Sequence, residues 1–240
     1  MLDMNSIKSH PNKLLSKHLE GVKDKAMQLT SEKTTALLAF WHDVGKANVN
    51  FQKQLEGFDT NGYTHHSYLS AFSLFCALMK DRSIFEEYLG KPLSSNDIVA
   101  LVVMIAKHHG DLPDFCPEGS LRLLDTGEID KLYAFLSSTN MSIEELLGTW
   151  FTVKGLNELF VNNKAQYVFK ERLIFQPQCN EKPLDFFLGI QHSFACLLLS
   201  DKADAACRDE FLEDQRKDVN AFSSIFPSVL YQYLSSLTQL

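Results

Sequence analysis

The segment Ile98–Ala106 is apolar on every side of a helix, and this limits the folds open to the chain more than any other feature. A helix with no solvated face must be surrounded, so other elements have to cover it completely. The composition favours helices as the covering elements. There are 18 Phe against 11 Gly and 7 Pro, and long stretches hold neither breaker. At 240 residues and 45% hydrophobic, the chain can bury a sizeable core. These features predict one all-α domain over residues 1–240, a bundle of roughly eight to ten helices packed helix on helix.

Periodicity places the elements. A first helix is expected over about Asn12–Leu29, with Leu14, Leu15, His18, Leu19 and Val22 on one stripe. A second starts near Ser31 and runs to His42–Asp43, where Gly45 ends or bends it. Ala47–Leu55 reads as a short helix and 57–62 as a polar loop. Thr64 is placed to cap a helix over His65–Lys80, and Asn96 or Ser95 one over Asp97–His109, which Gly110 stops. Ser142 and Glu145 form a capping box for a short helix, while 164–182 reads as an extended excursion or loop. Leu184–Ala206 is a long apolar helix, and an amphipathic helix follows at about 219–238, outside a core of about 12–206.

Imidazoles and carboxylates mark these apolar helices at His18, His42–Asp43, His66, His108–His109, Asp201 and Asp204. Singly, each has an ordinary explanation. His18 would be a hydrogen-bonded core residue, His108–His109 partners of a helix C-terminus, and Asp201 the partner of an arginine. Together they place His or Asp at the buried edges of several helices, in a chain with few buried-looking cations to pair with them. Metal ions would satisfy all these groups at once. One open site needs only about three or four protein ligands, so this set suits two ions sharing a carboxylate. Two ions about 3.5–4 Å apart can clamp the attacking and leaving oxygens of a phosphoryl displacement. An imidazole-rich set favours Mn, Fe, Co, Ni or Zn over Mg. Lys46 lies over the same patch as His42 and Asp43, where it either holds a phosphate oxygen or pairs with Asp43. Ser70, one turn after His66, is either a hydroxyl beside the ligand or a packing contact. His10, in a polar segment before Pro11, and His192, inside an apolar run, read as structural.

The order H…HD…H…HH…D resembles the HD phosphohydrolase superfamily. More narrowly, it resembles the HD nuclease domain of type I CRISPR-associated nuclease-helicases. Three strings carry the likeness: His42-Asp-Val-Gly-Lys-Ala-Asn-Val-Asn-Phe-Gln52, His66-Ser-Tyr-Leu-Ser70 and Ala106-Lys-His-His-Gly110. The resemblance implies an HD-domain helical bundle and two divalent transition-metal ions, with Mn, Fe, Co or Ni favoured and Mg or Zn admitted. It places His18, His42, Asp43 and a late Asp around one ion. Asp43 then bridges to a second ion held by His66, His108 and His109. Asp43 and Lys46 become the catalytic pair, with Lys46 beside the scissile phosphate. The late Asp is Asp201 or Asp204. Asp201 is preferred because a further Asp-Ala pair follows it in the family, as Asp204-Ala205 does here. Ser70 on the turn after His66 selects His66 over His65, which leaves His65, like Ser70, beside the substrate or behind the ligands.

The expected activity is a metal-dependent deoxyribonuclease acting on single-stranded DNA in CRISPR interference against foreign DNA. Its implied partners are a helicase subunit or domain and an RNA-guided surveillance complex. The sequence contains no GxxxxGK[ST] loop, so the chain is expected to be a stand-alone HD subunit or an excised domain. A formal net charge of −7 argues against a broad basic grip on nucleic acid, which a partner would supply. The five cysteines (Cys76, Cys116, Cys179, Cys196 and Cys207) show no paired spacing, and with no signal peptide they fit a reducing cytoplasm. No apolar run reaches the roughly 18 residues of a membrane span, so a soluble protein with no membrane partner is expected. The rival readings are a nucleotide or cyclic-dinucleotide phosphohydrolase, and a non-catalytic interaction module with structural metals.

Overall fold

The computed structural model describes residues 7–113, 115, 123–138, 163–176 and 182–206. The expected capping box at Ser142 and the helix at about 219–238 lie outside these residues. The α-helices among the described residues are α1 (Leu15–Leu29), α2 (Lys33–Trp41), α3 (Val49–Leu55), α4 (His66–Lys80), α5 (Arg82–Leu89), α6 (Ser95–Ala106), α7 (Thr126–Ser138), α8 (Asn163–Tyr167) and α9 (Pro183–Ala206). The only sheet among them is a two-stranded hairpin, so the fold is an all-α bundle.

The surrounded helix foreseen at Ile98–Ala106 is one of three. In α2 every residue from Thr35 to Trp41 is buried, in α4 every residue from Ser67 to Leu78, and in α6 every residue from Val99 to Ala106. Around them α1 is amphipathic, burying Leu15, His18, Leu19, Val22 and Ala26 at three- and four-residue spacing against α2 and α9. Helix α4 packs on α6 and on a 3₁₀ turn, Val44–Ala47, that follows α2. Two polar contacts are made inside this core: Trp41 Nε1 donates to Ser73 Oγ at 2.7 Å, and Ser73 Oγ donates to the Ser70 carbonyl at 2.7 Å. Each donor is therefore satisfied without water.

Several element ends differ from the periodicity reading, each for a local reason. Residues before Leu15 form a hairpin, β1 (Lys8–His10) antiparallel to β2 (Lys13–Leu14), so α1 starts at Leu15 rather than Asn12. Helix α4 starts at His66 with His65 at the cap position, and no side chain caps it, so Thr64 does not have the expected role. Helix α6 is capped by Ser94, which exchanges hydrogen bonds with Asp97 in a capping box. Asn96 instead bonds the Gln176 backbone in both directions, at 2.8 and 3.0 Å. Helix α6 ends at Ala106, so His108 and His109 stand just past it, before Gly110 is reached.

The stretch expected to be extended from residue 164 begins as helix: α8 runs into a π-helical turn, Val168–Arg172. The buried Phe169 on that turn packs edge-on against Phe72 at 4.9 Å. Helices α5 and α7 have no counterpart in the periodicity reading. Helix α9, with 24 residues, is the one helix among the described residues long and apolar enough by composition to cross a bilayer, and polar residues such as Gln191, His192 and Ser193 interrupt its apolar run. Here its buried face packs on α1 and α2, and its last turns carry Asp201 and Asp204.

Candidate metal centre

The donors come from helix interiors and helix ends in turn. His18 projects from the first turn of α1, His42 caps the C-terminus of α2, and Asp43 links α2 to the 3₁₀ turn that holds Lys46. His66 opens α4, His108 and His109 follow α6, and Asp201 lies near the end of α9. Gly45 allows the turn to seat against α4: a Cβ there would lie 2.2 Å from the His66 carbonyl oxygen. Its residence in a 3₁₀ turn, without positive φ, shows that close approach rather than a left-handed stop is the reason for glycine. The Gly45 N–H donates to the buried Ser70 Oγ at 2.8 Å, so that hydroxyl docks the turn and does not face a substrate.

Two groups of donor atoms result, each with its members within 4.8 Å of one another. The inner group is His18, His42, Asp43 and Asp201, and the outer group is Asp43, His66, His108 and His109. Asp43 belongs to both through different oxygens. Its Oδ2 lies 3.0 Å from His18 Nε2 and 3.4 Å from His42 Nε2, while its Oδ1 lies 3.1 Å from His66 Nε2 and 3.3 Å from His108 Nε2. Asp201 Oδ1 is 3.4 Å from both His18 Nε2 and His42 Nε2. In the outer group His66 Nε2 and His109 Nε2 approach to 2.8 Å.

The imidazoles are presented in one sense. His42 Nδ1–H donates to the Ala39 carbonyl at 2.7 Å, His108 Nδ1–H to the Ile105 carbonyl at 2.7 Å, and His18 Nδ1–H to Asp204 Oδ2 at 2.6 Å. Each Nε2 is thereby left to face the carboxylates. His42 Nε2, His108 Nε2 and Asp43 Oδ1 are buried and have no hydrogen-bond partner. Orphaned polar atoms, one in the inner group and two in the outer, are costly in a protein interior and are what divalent cations satisfy. The donor set therefore fits metal ions, and its nitrogen-rich chemistry fits transition metals.

Protonation divides the two groups. Burial would lower the His18 pKa, yet its hydrogen bonds with Asp201, Asp204 and Asp43 hold it at about 10. For His42 burial again opposes charge, and the carboxylates of Asp43 and Asp201 raise it to about 9. His66 and His109 move the other way: burial lowers both, and the neighbouring imidazoles help take His109 down to about 3. Burial would raise Asp43, but the charge of His42 and the imidazoles of His66, His108 and His18 close to its oxygens keep it well below the usual carboxylate range.

Around the donors stand residues that the sequence reading missed or placed differently. Lys46 Nζ lies 2.6 Å from Asp43 Oδ2 and 5.7 Å above the Phe51 ring, almost fully buried. His10 is not remote. Its ring meets that of His18 edge-on at 5.1 Å, and burial with the nearby Lys46 charge lowers its pKa to about 4. The two short strands that bring it there leave almost no periodic signal. Gln52 Nε2 donates to the Lys46 carbonyl at 2.6 Å and the Lys8 carbonyl at 2.8 Å, and its Oε1 accepts the Lys8 N–H at 2.9 Å. It thus ties the hairpin to the Lys46 turn; the Phe51-Gln52 string had marked it without revealing this use. His65 stands outside both groups, stacked on Tyr68 at 5.1 Å with Nδ1 3.5 Å from Glu128. His192 is half-exposed between Glu32 and Cys196, away from the centre. Asp204 is a member of neither donor group.

A helical bundle that brings an adjacent His–Asp pair together with further histidines on neighbouring helix ends is built as an HD-type metal-dependent hydrolase domain. The sequence comparison narrows this class. The family model described as Cas3, HD domain matches residues 4–153, more than half of the chain, and the chain belongs to that family, the HD nuclease domains of Cas3-type CRISPR proteins. The match includes every donor from His18 to His109 and ends before Asp201. No curated protein and no solved structure matches the chain.

Proposed function

We propose that this domain hydrolyses phosphodiester bonds of single-stranded DNA with two divalent transition-metal ions, in type I CRISPR interference. The observation that carries this reading is the division of Asp43, whose Oδ2 faces the inner histidines and Oδ1 the outer ones. His18, His42, Asp43 and Asp201 would hold one ion, and Asp43, His66, His108 and His109 the other. When bound, such ions supply Lewis acidity at a phosphate and a nucleophile from water at neutral pH.

The chain's own residues provide the rest. Asp43, kept ionised by its imidazole neighbours, turns Oδ2 to the inner histidines and Oδ1 to the outer ones, and would serve both ions. Lys46, held against Asp43 Oδ2, brings a cation next to the place where a phosphate would lie and would stabilise its added charge. The Ala39, Ile105 and Asp204 acceptors hold three imidazoles in register, so no reorganisation is required as charge develops. With a net charge of −7, the strand would be gripped by a helicase subunit or domain and delivered by an RNA-guided surveillance complex.

The test is a cleavage panel with Mg, Mn, Fe, Co, Ni and Zn on linear and circular single-stranded DNA, with nucleotides and cyclic dinucleotides assayed beside it. Metal-dependent DNA cleavage that disappears in the double variant His42→Ala plus Asp43→Ala is the expected result. Undiminished cleavage by that variant, or turnover confined to nucleotides, would overturn the reading.

A further inference from the structure

Asp201 and Asp204 lie one turn apart on α9, and both reach His18, but at opposite nitrogens. Asp201 Oδ1 is 3.4 Å from Nε2, and Asp204 Oδ2 is 2.6 Å from Nδ1. A histidine that binds a metal through Nε2 must keep its proton on Nδ1, and an acceptor at Nδ1 sets both tautomer and ring plane. Resting on the metal reading above, we propose that Asp204 is not a ligand but the positioning residue of the inner ion site. It holds His18 with Nε2 aimed at Asp43 and Asp201.

The surroundings of Asp204 suit this role. Its carboxylate is fully buried, with Lys13 Nζ 2.7 Å from Oδ2 and Lys25 Nζ 2.9 Å from Oδ1. Lys13 also donates to the Asp204 carbonyl at 3.3 Å. Two cations and an imidazole N–H thus occupy this carboxylate, which belongs to neither donor group. On α1, Gly21 lies one turn after His18, and a Cβ there would fall 2.3 Å from Asp204 Oδ1. The helix therefore leaves a notch for the carboxylate beside the imidazole that it orients.

The position of His18 explains why a side chain is needed. His42 and His108 sit at helix C-termini, where carbonyls without a helical partner are at hand, and each uses one, from Ala39 and Ile105. His18 lies inside α1, where the carbonyls are engaged in the helix, so its Nδ1–H needs an acceptor from elsewhere. Asp204 supplies it from α9.

The experiment is a Co2+ titration of the whole chain, followed by ligand-field absorption, on wild type, Asp204→Ala, Asp204→Asn, Gly21→Ala and Asp201→Ala. The expected result for Asp204→Ala is inner-ion affinity weaker by about 10–100-fold, with the outer ion unchanged. Asp204→Asn, which retains an acceptor for Nδ1–H, should recover most of that loss. Gly21→Ala should weaken the same ion without removing a polar group. Wild-type affinity for both ions in Asp204→Ala would overturn the proposal. Loss of the inner ion in Asp204→Ala but not in Asp201→Ala would overturn it too, by making Asp204 the ligand. Should Asp204→Ala fail to fold, wild-type affinity in both Gly21→Ala and Asp204→Asn has the same force. A wild-type protein that takes up no Co2+ overturns the metal reading and this inference together, whereas the earlier outcomes leave the metal reading standing.

Discussion

The inner donor group adds His18, His42 and Asp201 to the shared Asp43 and the outer group adds three histidines, and His18 and His42 shift in the opposite direction to His66 and His109. His18 and His42 are held at about 10 and about 9, while His66 is lowered and His109 falls to about 3. The difference is local stoichiometry. The inner imidazoles face Asp43, Asp201 and Asp204, whereas the three outer imidazoles share Asp43 alone within their group. An imidazole among carboxylates keeps its proton, and one among imidazoles gives it up. Metal-free, the inner group is an ion-pair network, while His66 and His109 are ready ligands.

The severest test of this contrast is the residue that both groups own. Asp43→Ala should release both ions and lower any cleavage by about 10³-fold, with helicity by circular dichroism largely retained. Metal content by mass spectrometry distinguishes this from a variant that empties one group. Next come changes that should separate the groups. His42→Ala removes a buried inner donor and should abolish inner-ion binding, whereas His109→Ala, at an exposed position, should weaken only the outer ion, by about 10–100-fold. If both variants lost the same ion in a Co2+ titration, the division into two groups would be wrong.

Protons sharpen the contrast further. An ion entering the inner group must displace protons from His18 and His42, so its affinity should climb about tenfold per pH unit for each proton released between pH 7 and 9. The same interval should leave the outer positions His66 and His109 unaffected, because both are already neutral there. Stability of the metal-free protein follows the same logic with its own sign. The raised pKa values of His18 and His42 stabilise it fully below their ordinary value of 6.5, and that contribution is lost as pH rises through about 9 and about 10. Thermal melts without metal should therefore fall over this range, and the loss should shrink with metal bound. The smallest effect is expected at the hairpin: Gln52→Ala removes three hydrogen bonds and should cost about 1–3 kcal/mol, seen as faster amide exchange at Lys8.

Legibility in the sequence varied with the range of the signal. The stripe of α1 is readable because burial repeats every three to four residues, and α6 and α9 are readable because their sequences are apolar over several turns. Ends were less readable. Asn96 looked like a cap and serves as a side-chain clamp on Gln176, a contact across 80 positions that no local pattern carries. The hairpin of Lys8–His10 and Lys13–Leu14 is too short to show alternation, so no local pattern brings His10 to His18, which its ring adjoins. The donor residues themselves stood out, because imidazole and carboxylate against apolar helix surface require an explanation.

The order of residues along the chain is enough to define the chemistry available to this protein: which helices are buried, which carry His or Asp, and that Asp43 adjoins His42. How that chemistry is divided depends on the folded arrangement. It gives one oxygen of Asp43 to each group, sets Asp201 against Nε2 of His18 and Asp204 against Nδ1, and sends His18 and His109 to opposite protonation states. Helical periodicity, about 100° per residue, fixes which side of a helix is buried. It does not fix how α1, α2, α4, α6 and α9 cross. Those crossings are set by packing among residues far apart in the chain, and a change of one residue in register would exchange the atoms that meet at the centre.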